Sequence, residues 1–310
     1  MSNLPDKLRT GSLAGLKKGW HTFIWICKIV LPVSFLIALL QWTGWLNHLD
    51  FLLNPLMSLF NLPPEAALPI IAGMLINIYA AIATITVIPF TTEQMMLIAV
   101  FNLIAHSLIL EGTVQHQSGL NAIKATLLRI AAAILTVFIV SQFLGDTSQS
   151  VVIPTALMAH APILAVLKTW VIETIYLLLK ILGIIIFIMI LQESLKSLGW
   201  LDYIPRFFRR LMRIMGLSQP TTLMWLTAVI FGLLYGSGAI MEEAKKGNLS
   251  KDELERLHIS IGINHSMIED PLLFVVLGLN PFWLWIPRFI MAIIFVQSYR
   301  LVKLVKNKLF

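Results

Sequence analysis

The sequence predicts an all-α polytopic membrane protein made of two inverted-topology repeats, each of about three transmembrane helices plus a re-entrant hairpin. Three observations carry this reading. Hydrophobic residues make up 58% of the 310 and charged residues only 13%, the mean hydropathy is +0.84, and several runs exceed the roughly 18 apolar residues needed to cross about 30 Å of hydrocarbon. His106 and His265 stand 159 residues apart, and the same offset pairs Gly73 with Gly232, Thr91 with Ser250, Ser107 with Ser266, Glu111 with Asp270, Gly119-Leu120-Asn121 with Gly278-Leu279-Asn280 and Arg129 with Arg288. Finally, the connector after the first span, residues 47–62, carries Asp50 but no Lys or Arg, whereas its counterpart holds Arg206, Arg209, Arg210 and Arg213. By the positive-inside rule these equivalent connectors lie on opposite sides, so each repeat crosses an odd number of times.

In chain order, residues 1–18 (Lys7, Arg9, Lys17, Lys18) form a basic cytoplasmic N-terminus, 19–145 the first repeat, 146–154 a polar linker, 155–300 the second repeat and 301–310 a basic cytoplasmic tail. The first spanning helix runs from Trp20 to Leu40 and stops near Gly44-Trp45-Leu46, a motif that returns as Gly199-Trp200-Leu201. A second span, Ala66 to Phe90, is interrupted by Pro69, Gly73 and Asn77. Thr91 to Gln94 is a Thr-x-x-Gln capping box that opens a new helix, and Ser250 to Glu253 does the same in the second copy. Residues 92–118 and 251–279 are expected to be the re-entrant hairpins, a placement that puts Lys245, Lys246 and Lys251 outside, against the rule. The remaining spans are 121–143, 170–191, 221–240 and 281–296.

The net charge of +7 could suggest nucleic acid, but the basic residues flank apolar segments, where they set topology, so no nucleic-acid partner is expected. The single cysteine, Cys27, excludes an intramolecular disulfide and reads as a small core residue.

Function should reside where ionisable groups interrupt apolar sequence, above all Asn264-His265-Ser266-Met267-Ile268-Glu269-Asp270-Pro271. On a helix His265 and Glu269 would share a face, and Pro271 would break the element. The candidate substrate-binding residues are Asn77, His106 and Glu111 from the first copy and Tyr235, Ser237, Asn264, His265, Ser266, Glu269 and Asp270 from the second. Glu242 and Glu243 are secondary candidates beside Lys245 and Lys246, where a solvated surface network explains them equally well. The histidines could instead bond backbone carbonyls across helix breaks, and Asp270 and Glu111 could merely end apolar segments. No catalytic constellation, phosphate loop or metal motif is present, so neither an enzyme nor a metal centre is expected, nor any cofactor beyond a coupling proton or cation.

The Gly-plus-polar broken span followed by a capped helix ending in His-Ser-x-Ile-x-acid resembles the nucleoside-recognition or "gate" domain. Similar domains occur in spore maturation proteins, in the membrane gate of ferrous-iron transport protein B and, distantly, in concentrative nucleoside transporters. The likeness covers about residues 66–143 and 221–296. The iron gates' characteristic cysteine is missing, and no GTPase domain precedes the membrane part of this sequence, which speaks against iron. The resemblance implies solute recognition or movement without naming the solute. The expected function is therefore a secondary, alternating-access transporter in the cell membrane for a small polar solute, a nucleoside-like one being a candidate, with proton or cation coupling; the expected partners are the lipid bilayer, the solute or ion and, as a candidate, further copies of the chain in a homo-oligomer. A divalent metal ion permease and a non-transporting membrane interaction protein of the spore-maturation type are the alternatives.

Overall fold

The computed structural model describes residues 4–44, 57–145, 162–199, 208–233, 240–241 and 249–309, and among these every regular element is a helix. Large apolar side chains such as Leu164, Ile172, Leu179 and Phe187 point outward and are exposed, the surface expected where lipid rather than water is the solvent. Among the described residues, four segments are long and apolar enough to cross a bilayer: Leu4–Trp42, Thr92–Gln117, Ala122–Ser141 and Ile163–Ser197.

The longest helices, α1 (Leu4–Trp42) and a helix 35 residues long spanning Ile163–Ser197 (α7 in chain order, below), lie side by side in opposite directions. Gly11 faces Ser194, Gly15 faces Ile190 and Gly19 faces Ile186, while further along Trp170 Nε1 donates to Ser34 Oγ at 3.1 Å. Glycine at every fourth position removes the side chains that would hold the backbones apart, so close packing replaces the missing hydrophobic driving force between helices in lipid. The helix therefore starts at Leu4 rather than near Trp20, and the basic N-terminal segment is part of it.

A 3-10 turn at Pro64–Ala66 leads into α2 (Ala67–Leu75), followed by α3 (Ile78–Ile85). The sequence suggests one interrupted crossing here, but the two helices fold back on each other: a Cβ added to Gly73 would lie 3.1 Å from that of Ala81. At the tip Asn77 is extended, and its side chain accepts from Ala80 N at 3.0 Å, starting α3 anew. The same added Cβ would fall on the Asn102 amide, so the space at Gly73 is already filled by that side chain, which also donates to Pro69 O at 3.3 Å.

The next pair, α4 (Thr92–Ala105) and α5 (Leu108–Gln117), does not fold back. α6 (Ala122–Ser141) returns beside both, with Thr126 against Gly112 of α5 and Arg129 reaching the Ile104 carbonyl at the end of α4. The fold-back expected for residues 92–118 is thus one segment earlier. After α7 come α8 (Arg209–Ile214), α9 (Thr222–Phe231), α10 (Lys251–Asn264), α11 (Glu269–Val275) and α12 (Pro281–Leu309). α10 and α4 are both 14 residues long and both begin with the capping box read from the sequence, Thr91 with Gln94 and Ser250 with Glu253.

Candidate functional site

Two matching helix breaks meet in the buried interior. α4 stops at Ala105, His106 is extended, Ser107 takes a left-handed conformation (φ 48°) and α5 starts. α10 stops at Asn264, His265 is extended, Ser266 is left-handed (φ 47°) and α11 follows. Positive φ at a residue with a side chain is uncommon and needs surrounding contacts to hold it. Those contacts come from neighbouring breaks: Ser107 N donates to Gly73 O at 2.9 Å, Ser266 N to Ala228 O at 3.1 Å and Met267 N to Val229 O at 2.7 Å.

A helix that ends inside a membrane protein leaves carbonyls without partners. Buried arginines satisfy them in both copies: Arg129 donates through Nε to Ile104 O (2.9 Å) and through Nη2 to His106 O (2.8 Å), and Arg288 makes the equivalent bonds to Ile263 O and His265 O. Arg129 Nη1 also pairs with Glu111 Oε2 at 2.7 Å. Three acceptors around one guanidinium use its fixed fork of donors.

Each imidazole is oriented by its own helix. His106 Nδ1 is 2.8 Å from Asn102 O and His265 Nδ1 is 2.9 Å from Ile261 O. A carbonyl can only accept, so both Nδ1 atoms carry the hydrogen and both Nε2 atoms are left to face inward. Those two Nε2 atoms are 3.3 Å apart. Glu111 Oε1 lies 3.5 Å from that of His106 and 3.2 Å from that of His265, and Asp270 Oδ2 lies 3.6 Å from that of His106. All four residues are buried, His265 completely.

His106, Glu111, His265 and Asp270 therefore gather as candidates from both copies, with Ser107 and Ser266 shaping the breaks. Asn264 is completely buried beside them, and neither atom of its amide is hydrogen-bonded. Glu269 is not on a shared helical face with His265, because the helix stops before His265 and a new one begins at Glu269. It instead accepts from Tyr79 Oη at 2.7 Å, tying the second copy to α3 of the first. Pro271 does not break the element; it sits in the first turn of α11, where a missing N–H costs nothing. Asn77 serves as the cap at the hairpin tip. Tyr235, Ser237, Glu242 and Glu243 lie outside the described residues.

The sequence reading paired Arg129 with Arg288 but gave them no role in the site, although arginine inside an apolar span is a functional signal in itself. It also passed over Tyr79 and His258, whose Nε2 donates to Ser118 O at 2.9 Å while Gln115 Nε2 donates to His258 O at 3.0 Å, a reciprocal tie between α10 and the end of α5. No metal ligands were expected, yet donor atoms of His106, His265 and Asp270 lie within 4.8 Å of one another.

The nucleoside-recognition gate family model matches residues 23–167 and 178–279, so the likeness begins within α1 and is wider than the motifs suggested. The chain is similar to the uncharacterized membrane protein YvoD of Bacillus subtilis (strain 168), 30% identical over 274 residues that cover 87% of this chain and 88% of the relative. No solved structure matches it. A membrane-embedded helical chain with these matches over most of its length belongs to the nucleoside-recognition gate family.

Proposed function

We propose that the protein is an alternating-access transporter of a small polar or ionic solute, built from two inverted repeats whose helix breaks form the solute site. The observation that carries this is the meeting of His106 and His265, each at a helix break, across 3.3 Å. Discontinuous helices whose freed polar groups converge are the usual solute sites of inverted-repeat transporters. The unbonded amide of Asn264 supports a polar solute, since a buried amide without partners is costly until something satisfies it.

Inversion is supported by the opposite directions of α1 and α7, which occupy equivalent places before the two Gly-Trp-Leu motifs. This reading gives each repeat three crossings: α1, α4 with α5, and α6, then α7, α10 with α11, and α12, the last two taken as crossings from their equivalence to α4 with α5 and to α6. The α2–α3 hairpin is the re-entrant element. With the hairpin moved, Lys251 falls on the cytoplasmic side together with Arg209, Arg210, Arg213 and both termini, which removes the conflict with the positive-inside rule at Lys251; Lys245 and Lys246 lie outside the described residues. The ion pairs Lys124–Glu255 (2.8 Å) and Lys303–Asp252 (2.7 Å) lie toward helix ends assigned to that side, and Lys18–Glu193 (2.7 Å) lies in the halves of α1 and α7 nearer it.

The test is uptake into liposomes holding the purified protein, screened with nucleosides, nucleobases, amino acids and divalent cations. At least one solute is expected to enter faster than into protein-free vesicles, with Asp270→Asn reducing the rate about tenfold or more, the size of a lost ligand contact of about 1.4 kcal/mol. A folded protein that moves none of them would favour the non-transporting interaction protein instead.

A further inference from the structure

We infer that His106, His265 and Asp270, with Glu111 beside them, form a binding site for a first-row divalent transition-metal ion held between the two helix breaks. This rests on the transporter reading for its consequence, that such an ion is the solute, but the site itself stands on geometry. Both Nδ1 atoms donate to backbone carbonyls of their own helices, Asn102 O and Ile261 O. Metal-bound histidines are oriented in this way, one ring nitrogen donating to a carbonyl or carboxylate and the other left as the ligand. The two free Nε2 lone pairs and the carboxylate oxygens of Glu111 and Asp270 then point at common space. Arg129 already meets one oxygen of Glu111, and a divalent cation among the four would satisfy the remaining acceptors together.

The spacing suits such a cation. Metal–ligand bonds of about 2.0–2.1 Å in a tetrahedral site put neighbouring ligand atoms about 3.3–3.4 Å apart. The separations are 3.3 Å between the imidazoles, 3.2 and 3.5 Å from them to Glu111, and 3.6 Å from His106 to Asp270, while the donor atoms of His106, His265 and Asp270 all lie within 4.8 Å of one another, so small side-chain shifts would close them on an ion. Asp270 Oδ2 is buried and has no hydrogen-bond partner, which leaves it free to ligate. Glu111 shares its charge with Arg129 through the other oxygen, so it is the weaker ligand. Two imidazoles with carboxylate suit zinc and its divalent neighbours, whereas magnesium and calcium prefer all-oxygen sites. Each repeat supplies one histidine, so a bound ion would couple the two halves directly, and breaking either half away would open the site to one side.

Equilibrium dialysis of the purified full chain against Zn2+ tests this without any transport step. One tightly held Zn2+ per chain is expected, undiminished by excess Mg2+, together with the visible absorption of four-coordinate Co2+ when cobalt replaces it. His265→Gln and Asp270→Asn should each weaken binding tenfold or more, while His116→Gln, which alters an exposed histidine on α5, should not. If a variant does not fold, X-ray absorption of the zinc-loaded wild type decides, since two imidazole ligands are expected. Wild-type chain that retains no Zn2+, or zinc that persists in both folded variants, would overturn the assignment. Zinc binding without uptake of any solute would leave the site standing and remove the transporter reading; uptake of a nucleoside by zinc-free protein that binds no metal would do the reverse.

Discussion

Arg129→Met is expected to cost about 3–5 kcal/mol of stability, the range for removing one partner from a buried ion pair and leaving the other charge unmatched. The side chain is buried, and its guanidinium serves the Ile104 carbonyl, the His106 carbonyl and the Glu111 carboxylate at once. Arg129→Lys should fall between wild type and Met, because one ammonium group cannot reproduce a planar fork with three acceptors. If the uncompensated Glu111 charge is the main penalty, Arg129→Met combined with Glu111→Gln should be more stable than Arg129→Met alone. Thermal melting of the purified variants in detergent reads all three. Wild-type stability in Arg129→Met, or no recovery in the double variant, would mean that the pair does not hold the break together.

Gly15→Leu is expected to separate α1 from α7 and reduce folded protein sharply, by on the order of 3 kcal/mol. Even a bare Cβ at Gly15 would lie 2.4 Å from Ile190 Cα and 2.6 Å from Met189 O. These are backbone atoms, so no rotamer change relieves the clash; the helices themselves must move apart. Gly183 on α7 is the matched control, since nothing lies within 4 Å of a Cβ built there. Gly183→Ala should therefore be neutral or slightly stabilising through helix propensity. Size-exclusion profiles and melting temperatures distinguish the two, and equal behaviour would rule out close glycine packing as the reason these helices associate.

The parts of the fold legible in the sequence are those written in local chemistry. Thr91 with Gln94 and Ser250 with Glu253 mark helix starts because a hydroxyl and an amide or carboxylate three residues on satisfy each other's backbone N–H groups, and both boxes are present. The glycines at 11, 15 and 19 are equally available as a small-residue stripe, but the first two lie in the segment, residues 1–18, that reads as a basic terminus and the third at its border. Which segment folds back was not legible. A break at Asn77 and one at His106 look alike to hydropathy, and only tertiary contact, Ala81 and Asn102 around Gly73, turns the first into a hairpin.

At the site, the histidines and acids were identifiable because charge inside apolar sequence needs a partner. Their pairing was not. No glycine or proline at Asn264 or His265 announces the end of α10, so His265 and Glu269 looked like neighbours on one helix when Glu269 in fact opens the next. Glu111, five residues beyond His106, would point away from it on one continuous helix; the break between them turns it toward both imidazoles, a relation created when the two copies face each other.

The inverted arrangement on which the account depends is tested most directly by the sidedness of Thr92 and Lys251, exposed first residues of α4 and α10, the two helices that end at the facing histidines. Each is replaced in turn by cysteine in a Cys27→Ser background, and a membrane-impermeant maleimide is applied to right-side-out and inside-out vesicles. The account predicts that the cysteine at position 92 labels only from the outside and the one at 251 only from the cytoplasmic face. Labelling of both positions from the same side would contradict it.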